Sequence, residues 1–159
     1  MSRKDSLKNI ELLDEFGPEE LEELLKITIE KDYIEGDLIF SERDESTELY
    51  VLIKGEVEIQ IKVAPQLAES TVYIVKPQDI FGEFAFVDLR PRSASARCTK
   101  DTTLAIIKRD DFEILIKKNP DIGLKFYRNL TRLLSNRLRR MNIYLKDTYI
   151  RSLGMESKA

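Results

Sequence analysis

The chain has 159 residues, a formal net charge of −3, and 42% hydrophobic against 35% charged residues, the balance of one soluble globular domain rather than a disordered segment. It has no histidine and one cysteine, Cys98. That removes the commonest general base, zinc ligand and haem ligand, any internal disulfide, and an iron–sulfur cluster held by this chain alone, so no metal or cofactor is expected. No apolar run approaches the roughly 20 residues that span a bilayer, and no apolar stretch follows Met1-Ser2-Arg3-Lys4-Asp5. The expected compartment is the cytosol, with no membrane segment.

Residues 1–17 form an N-terminal segment, polar with scattered apolar positions (Leu7, Ile10, Leu12, Leu13), read as a short docking helix or a partly ordered tail. Pro18 after Gly17 suits a first helical position, and the acidic residues behind it suit a helix dipole. With the stripe Leu21, Leu24, Leu25 this predicts a helix over about 18–27. From about 27 to 108 the period changes to alternation. Tyr33 to Phe40 reads as strand, turn, strand. Leu49 to Ile53 is a buried strand, and Val57, Ile59, Ile61 and Val63 mark a half-buried one, with Lys54-Gly55-Glu56 as the turn between. Thr71 to Val75 and Thr103 to Lys108 are further strands, and Ala64 to Ser70 is a hairpin loop. Short strands at this spacing predict a sandwich or barrel.

The last third is helical. Asp110 with Glu113 has capping-box spacing, and Asn119-Pro120 starts a longer helix with Asn119 as cap, running to about Lys146 and leaving 147–159 as a tail. The long helix carries an apolar seam of Leu124, Tyr127, Leu134, Leu138, Met141 and Leu145, with Thr131 its weak member. Phe126, Leu130 and Leu133 lie to one side and suit packing on the strands. Because the seam outlasts what a small domain can cover, a homodimer through this helix is expected. The acidic run Glu19, Glu20, Glu22, Glu23 and the basic set Arg128, Arg132, Arg137, Arg139, Arg140 read as two solvated faces.

The chemistry concentrates in Phe81-Gly82-Glu83-Phe84-Ala85-Phe86 and the Pro91-Arg92-Ser93-Ala94-Ser95-Ala96 that follows. Gly82 permits a turn and a close approach. Residues 83–87 suit one helical turn whose free N–H groups attract an anion. Ala85 and Ala94 are small enough for a ligand to reach the backbone. Arg92 stands at the entry to a strand, where a guanidinium can grip a phosphate through two parallel hydrogen bonds. Glu83 can accept a sugar hydroxyl. From residue types alone the segment is either an anion site or a surface loop holding an ion pair.

This segment resembles the phosphate-binding cassette of the cyclic nucleotide-binding domain family, whose members include the catabolite activator protein and the regulatory subunits of cAMP-dependent kinase. Phe81-Gly82-Glu83-Phe84-Ala85 and Pro91-Arg92-Ser93-Ala94 match its pattern without a gap, and Leu49 to Val57 and Gly36 to Phe40 match earlier strands and turns. The resemblance implies an antiparallel β-roll, jelly-roll-like, with one helix before it and two after it, over about 18–146. It implies that Glu83 holds the ribose 2′-hydroxyl and Arg92 the exocyclic phosphate oxygens. The backbone at Gly82, Phe84, Ala85, Ser93 and Ala94 lines the rest. Ser93 is also a base contact in some members, but its presence does not choose between cAMP and cGMP. Asn136 and Arg137 fall where the lid helix of the family reaches the purine. The implied function is a sensor that binds cAMP or cGMP without chemistry, with the stretch Asp110 to Asn119 as hinge and the long helix as lid. The alternative is a protein-interaction module that keeps the fold without the nucleotide; the effector is unknown in either case.

Two departures stand out. Ser41 to Ser46 lacks the glycine the family often has there, and about a dozen residues after the long helix are too few for a helix-turn-helix, so no DNA-binding domain is expected. Cys98, on the strand after the cassette, is expected to be a buried structural thiol. The arginine cluster lacks an aromatic platform for nucleic acid.

Overall fold

Antiparallel pairing throughout joins eight short strands into two four-stranded sheets in the computed structural model, which describes Leu7 and residues 9–155. The strands are β1 (Thr28–Tyr33), β2 (Leu38–Phe40), β3 (Leu49–Lys54), β4 (Val57–Ile61), β5 (Ser70–Val75), β6 (Ile80–Phe81), β7 (Ser95–Cys98) and β8 (Thr102–Ile107). One sheet runs β1-β8-β3-β6 and the other β2-β7-β4-β5. Consecutive strands thus alternate between sheets for much of the chain, which gives the β-roll.

The apolar run of β3 follows from burial on both faces. Tyr50 and Leu52 point between the sheets, with Phe40, Val57, Val75, Phe81, Ala96, Cys98, Leu104 and Ile106. Leu49 and Val51 point the other way, with Ile80, Ala105 and Ile107, into a second core shared with the helices. One strand serves two cores because its side chains alternate with period two. Cys98 is buried, and burial pushes its thiol pKa up.

Among the described residues four helices accompany the roll: α1 (Pro18–Lys26), α2 (Glu83–Asp88), α3 (Arg109–Lys118) and α4 (Pro120–Ser152). Ile122, Phe126, Leu130 and Leu133 are the buried stripe of α4 against the second core. The expected seam divides. Tyr127 and Leu134 pack partly against that core, whereas Leu124, Leu138, Met141 and Leu145 are exposed.

Several expectations are corrected. Asp110 is not a cap: α3 begins at Arg109, two residues before the start that a cap at Asp110 would give, Lys108 is its N-cap, and Glu113 pairs with Arg109 instead. Asn119 occupies the cap position of α4 but makes no side-chain capping bond. The α4 helix continues to Ser152 rather than stopping near Lys146, because no glycine or proline follows Gly123 before Gly154. The first strand starts at Thr28, so Tyr33 ends it, and β4 stops at Ile61 rather than Val63. The two-residue β6 is too short to leave a periodic signal.

Glu19, Glu22, Arg139 and Arg140 are exposed, and ion pairs tie the edges of the two charged segments. Glu20 pairs with Lys125 at 2.7 Å, and Glu15 lies 3.7 Å from Arg128 and 3.5 Å from Arg132. Buried Asn129 donates to the carbonyls of Leu12 and Asp14, pinning a 3-10 turn (Glu11–Leu13) to α4. Leu7, Ile10, Leu12 and Leu13 are buried there. Of the expected N-terminal segment and C-terminal tail, residues 1–6, 8 and 156–159 lie outside the described residues.

Candidate functional site

Gly82 makes the turn from β6 into α2. Its φ of +76° is a left-handed conformation, and a Cβ there would lie 2.8 Å from Arg92 Nη1 and 3.0 Å from Tyr50. Only glycine meets both demands without strain. The turn lets α2 start at Glu83, leaving the first backbone N–H groups of the helix without intrahelical acceptors. Leu89, also left-handed, ends it.

Arg92 is 3% exposed. Its guanidinium is held by hydrogen bonds on three sides. Nε donates to Ser46 Oγ, Nη1 to the Gly82 carbonyl and Nη2 to the Glu48 carbonyl, each at 2.9 Å. The Glu48 carboxylate approaches Nη2 more loosely, at 3.4 Å. The cation also lies 4.2 Å from the centre of the Phe40 ring and 5.6 Å from that of Tyr50. Burial lowers the Arg92 pKa, while Tyr50 and the acidic groups of Glu48, Asp44 and Glu83 oppose that shift. Burial also pushes the Tyr50 hydroxyl up to about 12, with Glu48 adding to the shift and Arg92 opposing it. The site is thus one fixed cation set among acidic side chains and exposed on few sides.

The loop without its glycine is tied to the same residue. Arg43 N–H donates to the Arg92 carbonyl and Arg92 N–H to the Asp44 carbonyl, both at 2.8 Å. Arg43 itself takes a φ of +75°, the conformation that a glycine there would adopt freely, at a cost of about 1–2 kcal/mol. The backbone pairing to Arg92 holds it there.

Glu83 is buried, and Arg137 of α4 donates to its Oε1 at 2.6 Å. The same guanidinium donates from Nη2 to the Ile80 carbonyl at 2.6 Å and lies 5.4 Å from the centre of the Tyr73 ring. Arg137, placed by sequence near a ligand base, therefore reaches the cassette through Glu83. Asn136 is exposed, and no hydrogen bond ties it to the cassette among the described residues. Ala85 and Ala94 are buried, Phe84 is 55% exposed, and Ser93 is exposed beside Arg92.

Sequence reasoning missed Ser46, Glu48, Tyr73 and Arg109. No local signal marks them, because each acts on residues far away in the chain. Arg109 donates to the Phe86 carbonyl near the end of α2 and pairs with Glu113. The Phe86 ring stands 5.4 Å from Phe112 of α3 and 5.9 Å from Phe126 of α4. Phe86 thus joins the cassette helix to both C-terminal helices, and its burial contributes about 1.5–3 kcal/mol.

A family model described as Cyclic nucleotide-binding domain matches residues 30–119, more than half of the chain. A CRP-like cAMP-activated global transcriptional regulator of Mycobacterium tuberculosis is 34% identical over 116 residues, covering 73% of this chain and 50% of that protein. The chain therefore spans about half the length of this curated relative. Among solved structures, the Thermus thermophilus catabolite activator protein matches with a TM-score of 0.74 at 30% identity, covering 88% of this chain and 63% of that one. A domain of the same family description from Methylobacillus flagellatus matches with a TM-score of 0.77 at 25% identity, covering 98% of this chain and 84% of that one.

Proposed function

Since the chain belongs to the cyclic nucleotide-binding domain family, we propose that it is a regulatory module that binds cAMP or cGMP reversibly at Gly82 to Ala94 and repositions α4 in response. The observation that carries this reading is the buried guanidinium of Arg92, held rigidly beside the first turn of α2 and a few residues from the buried Glu83 carboxylate. A phosphate takes the place of the loosely held Glu48 carboxylate on Arg92 and accepts from the first N–H groups of α2. Glu83 accepts the ribose 2′-hydroxyl. Phe84, Ala85, Ser93 and Ala94 border the phosphate, and Asn136 and Arg137 lie on the lid helix. No chemistry is performed on the ligand, and the module acts in the cytosol.

The Phe86 contacts supply a physical route for the response. A ligand that tightens the cassette moves Phe86 against Phe112 and Phe126, with α3 as the hinge and α4 as the lid. The ligand shifts this equilibrium only by its differential affinity for the two positions. The exposed half of α4 is about the right shape for a partner helix: Leu138, Met141 and Leu145 are exposed on one seam, which supports a homodimer through this helix.

Isothermal titration of the purified chain with cAMP and cGMP, after unfolding and refolding to strip co-purified nucleotide, tests the reading. One-per-chain binding of either is the expected result, and the tighter ligand names the base preference. Absence of heat and of a thermal shift with both would instead favour a module that works through protein contacts alone.

A further inference from the structure

The N–H groups of the Arg92 guanidinium are shared out unequally. Neutral oxygens of Ser46, Gly82 and Glu48 take one from each nitrogen. Nη2 donates again, to Glu48 Oε2 at 3.4 Å, whereas Nη1 has no second acceptor among the described residues. A phosphate that grips both terminal nitrogens therefore contends with the Glu48 carboxylate. The two partners differ in freedom. The Arg92 side chain is 2% exposed and fixed on three sides, while that of Glu48 is 33% exposed and holds Arg92 only by this long contact.

Three carboxylates act on Arg92, those of Glu48, Asp44 and Glu83. Two of them have closer partners. Glu83 pairs with Arg137 at 2.6 Å, and Asp44 accepts from the Ser41 N–H at 2.8 Å. Glu48 is left as the carboxylate that faces the cation directly. Its own backbone keeps it there, because the Glu48 carbonyl accepts from the same Nη2 at 2.9 Å.

We infer that Glu48 is a charge filter: by opposing Arg92 it lets the site take a singly charged cyclic phosphodiester and turn away the doubly charged 5′-monophosphate that ring hydrolysis leaves. This rests on the nucleotide-binding reading of the cassette and deepens it by naming what sets its selectivity. A cyclic phosphodiester carries one negative charge, and a phosphomonoester about 1.5 to 2 at pH 7. A carboxylate displaced from Arg92 stays within reach, so Arg92 and Glu48 together are nearly neutral toward the ligand. A second negative charge then gains nothing from the pair. Without the Glu48 charge, Arg92 is unopposed and attracts a dianion more strongly than a monoanion. Selectivity of this kind comes from a repulsive element placed against the wrong ligand.

The test compares wild type, Glu48→Gln, Glu48→Ala and Glu45→Gln by displacement of a fluorescent cyclic nucleotide with cAMP, cGMP, 5′-AMP and 5′-GMP. Glu48→Gln and Glu48→Ala both remove the carboxylate and keep the carbonyl that Nη2 needs. Each is expected to bind the cyclic nucleotides more tightly than wild type. Each is also expected to narrow the preference for cyclic nucleotide over 5′-monophosphate, on the order of ten-fold. Glu45 lies in the same loop and is exposed, so Glu45→Gln removes the same charge away from Arg92 and should keep the wild-type ratio. An unchanged ratio in either folded Glu48 variant overturns the filter, as does a 5′-monophosphate that still fails to displace the probe at millimolar concentration. Equal narrowing in Glu45→Gln also overturns it, since net charge alone would then be responsible. In each of those cases wild type still binds a cyclic nucleotide and the function stands. A wild type that binds neither cAMP nor cGMP removes the function and the filter together.

Discussion

Replacing Arg92 separates its two jobs. In Arg92→Ala the phosphate loses a charged hydrogen-bond partner, worth about 2–3 kcal/mol, or roughly 30- to 150-fold in affinity. The structure adds a second cost. The carbonyls of Gly82 and Glu48 and the hydroxyl of Ser46 all lose the guanidinium as donor, Gly82 keeping a long bond from Phe86 N–H at 3.4 Å. Those that stay buried and unpaired destabilise the fold by about 1–3 kcal/mol each, less wherever water reaches them. Arg92→Lys keeps the charge but not the planar fork, so one ammonium cannot replace donors spread over Nε, Nη1 and Nη2. Its affinity and melting temperature should fall between those of wild type and Arg92→Ala. The assay is isothermal titration with the tighter of cAMP and cGMP, below the melting temperature of each variant. If folded Arg92→Ala binds as tightly as wild type, the phosphate does not sit on Arg92 and the cassette assignment fails.

Gly82→Ala should lower both stability and affinity, because the new methyl group meets the Arg92 guanidinium at a left-handed residue; the strain alone is about 1–2 kcal/mol. Melting and titration read it, and wild-type values in both would mean that the turn is not as described. Alkaline stability should decline as pH rises from about 10 toward about 12, since folding holds the Tyr50 proton that the unfolded chain releases at its ordinary value. Tyr50→Phe should flatten that decline. At the acid end, Lys76 and Thr99 hold the Glu56 carboxyl down to about 2, so its contribution is complete above about pH 4.5 and lost as pH falls through about 2; Glu56→Gln should remove that slope. Light scattering at micromolar concentration should give the mass of two chains, and Leu138→Glu with Met141→Glu should give one. A one-chain mass for wild type, with and without nucleotide, would refute the α4 dimer.

Much of the fold is legible in local pattern. The alternation through Val57 to Ile61, the continuous apolar run of Leu49 to Ile53 and the Pro18 and Pro120 helix starts all record nearest-neighbour geometry. The errors are local too. Asp110 and Glu113 have capping spacing, yet the start of α3 is set by the end of β8 and by Arg109 reaching back to Phe86.

By itself the sequence determines that Gly82, Glu83 and Arg92 lie so near one another that a turn and a short helix bring them together. It equally determines that no histidine-based chemistry is available. Tertiary structure alone decides what each of these residues meets. Ser46 and Glu48 reach Arg92 from 46 and 44 residues away, and Arg137 reaches Glu83 from 54 residues away. Such partners arise when the two sheets close and α4 docks on them. Periodicity reports which face of an element is buried, while the partner across that face depends on how distant elements pack.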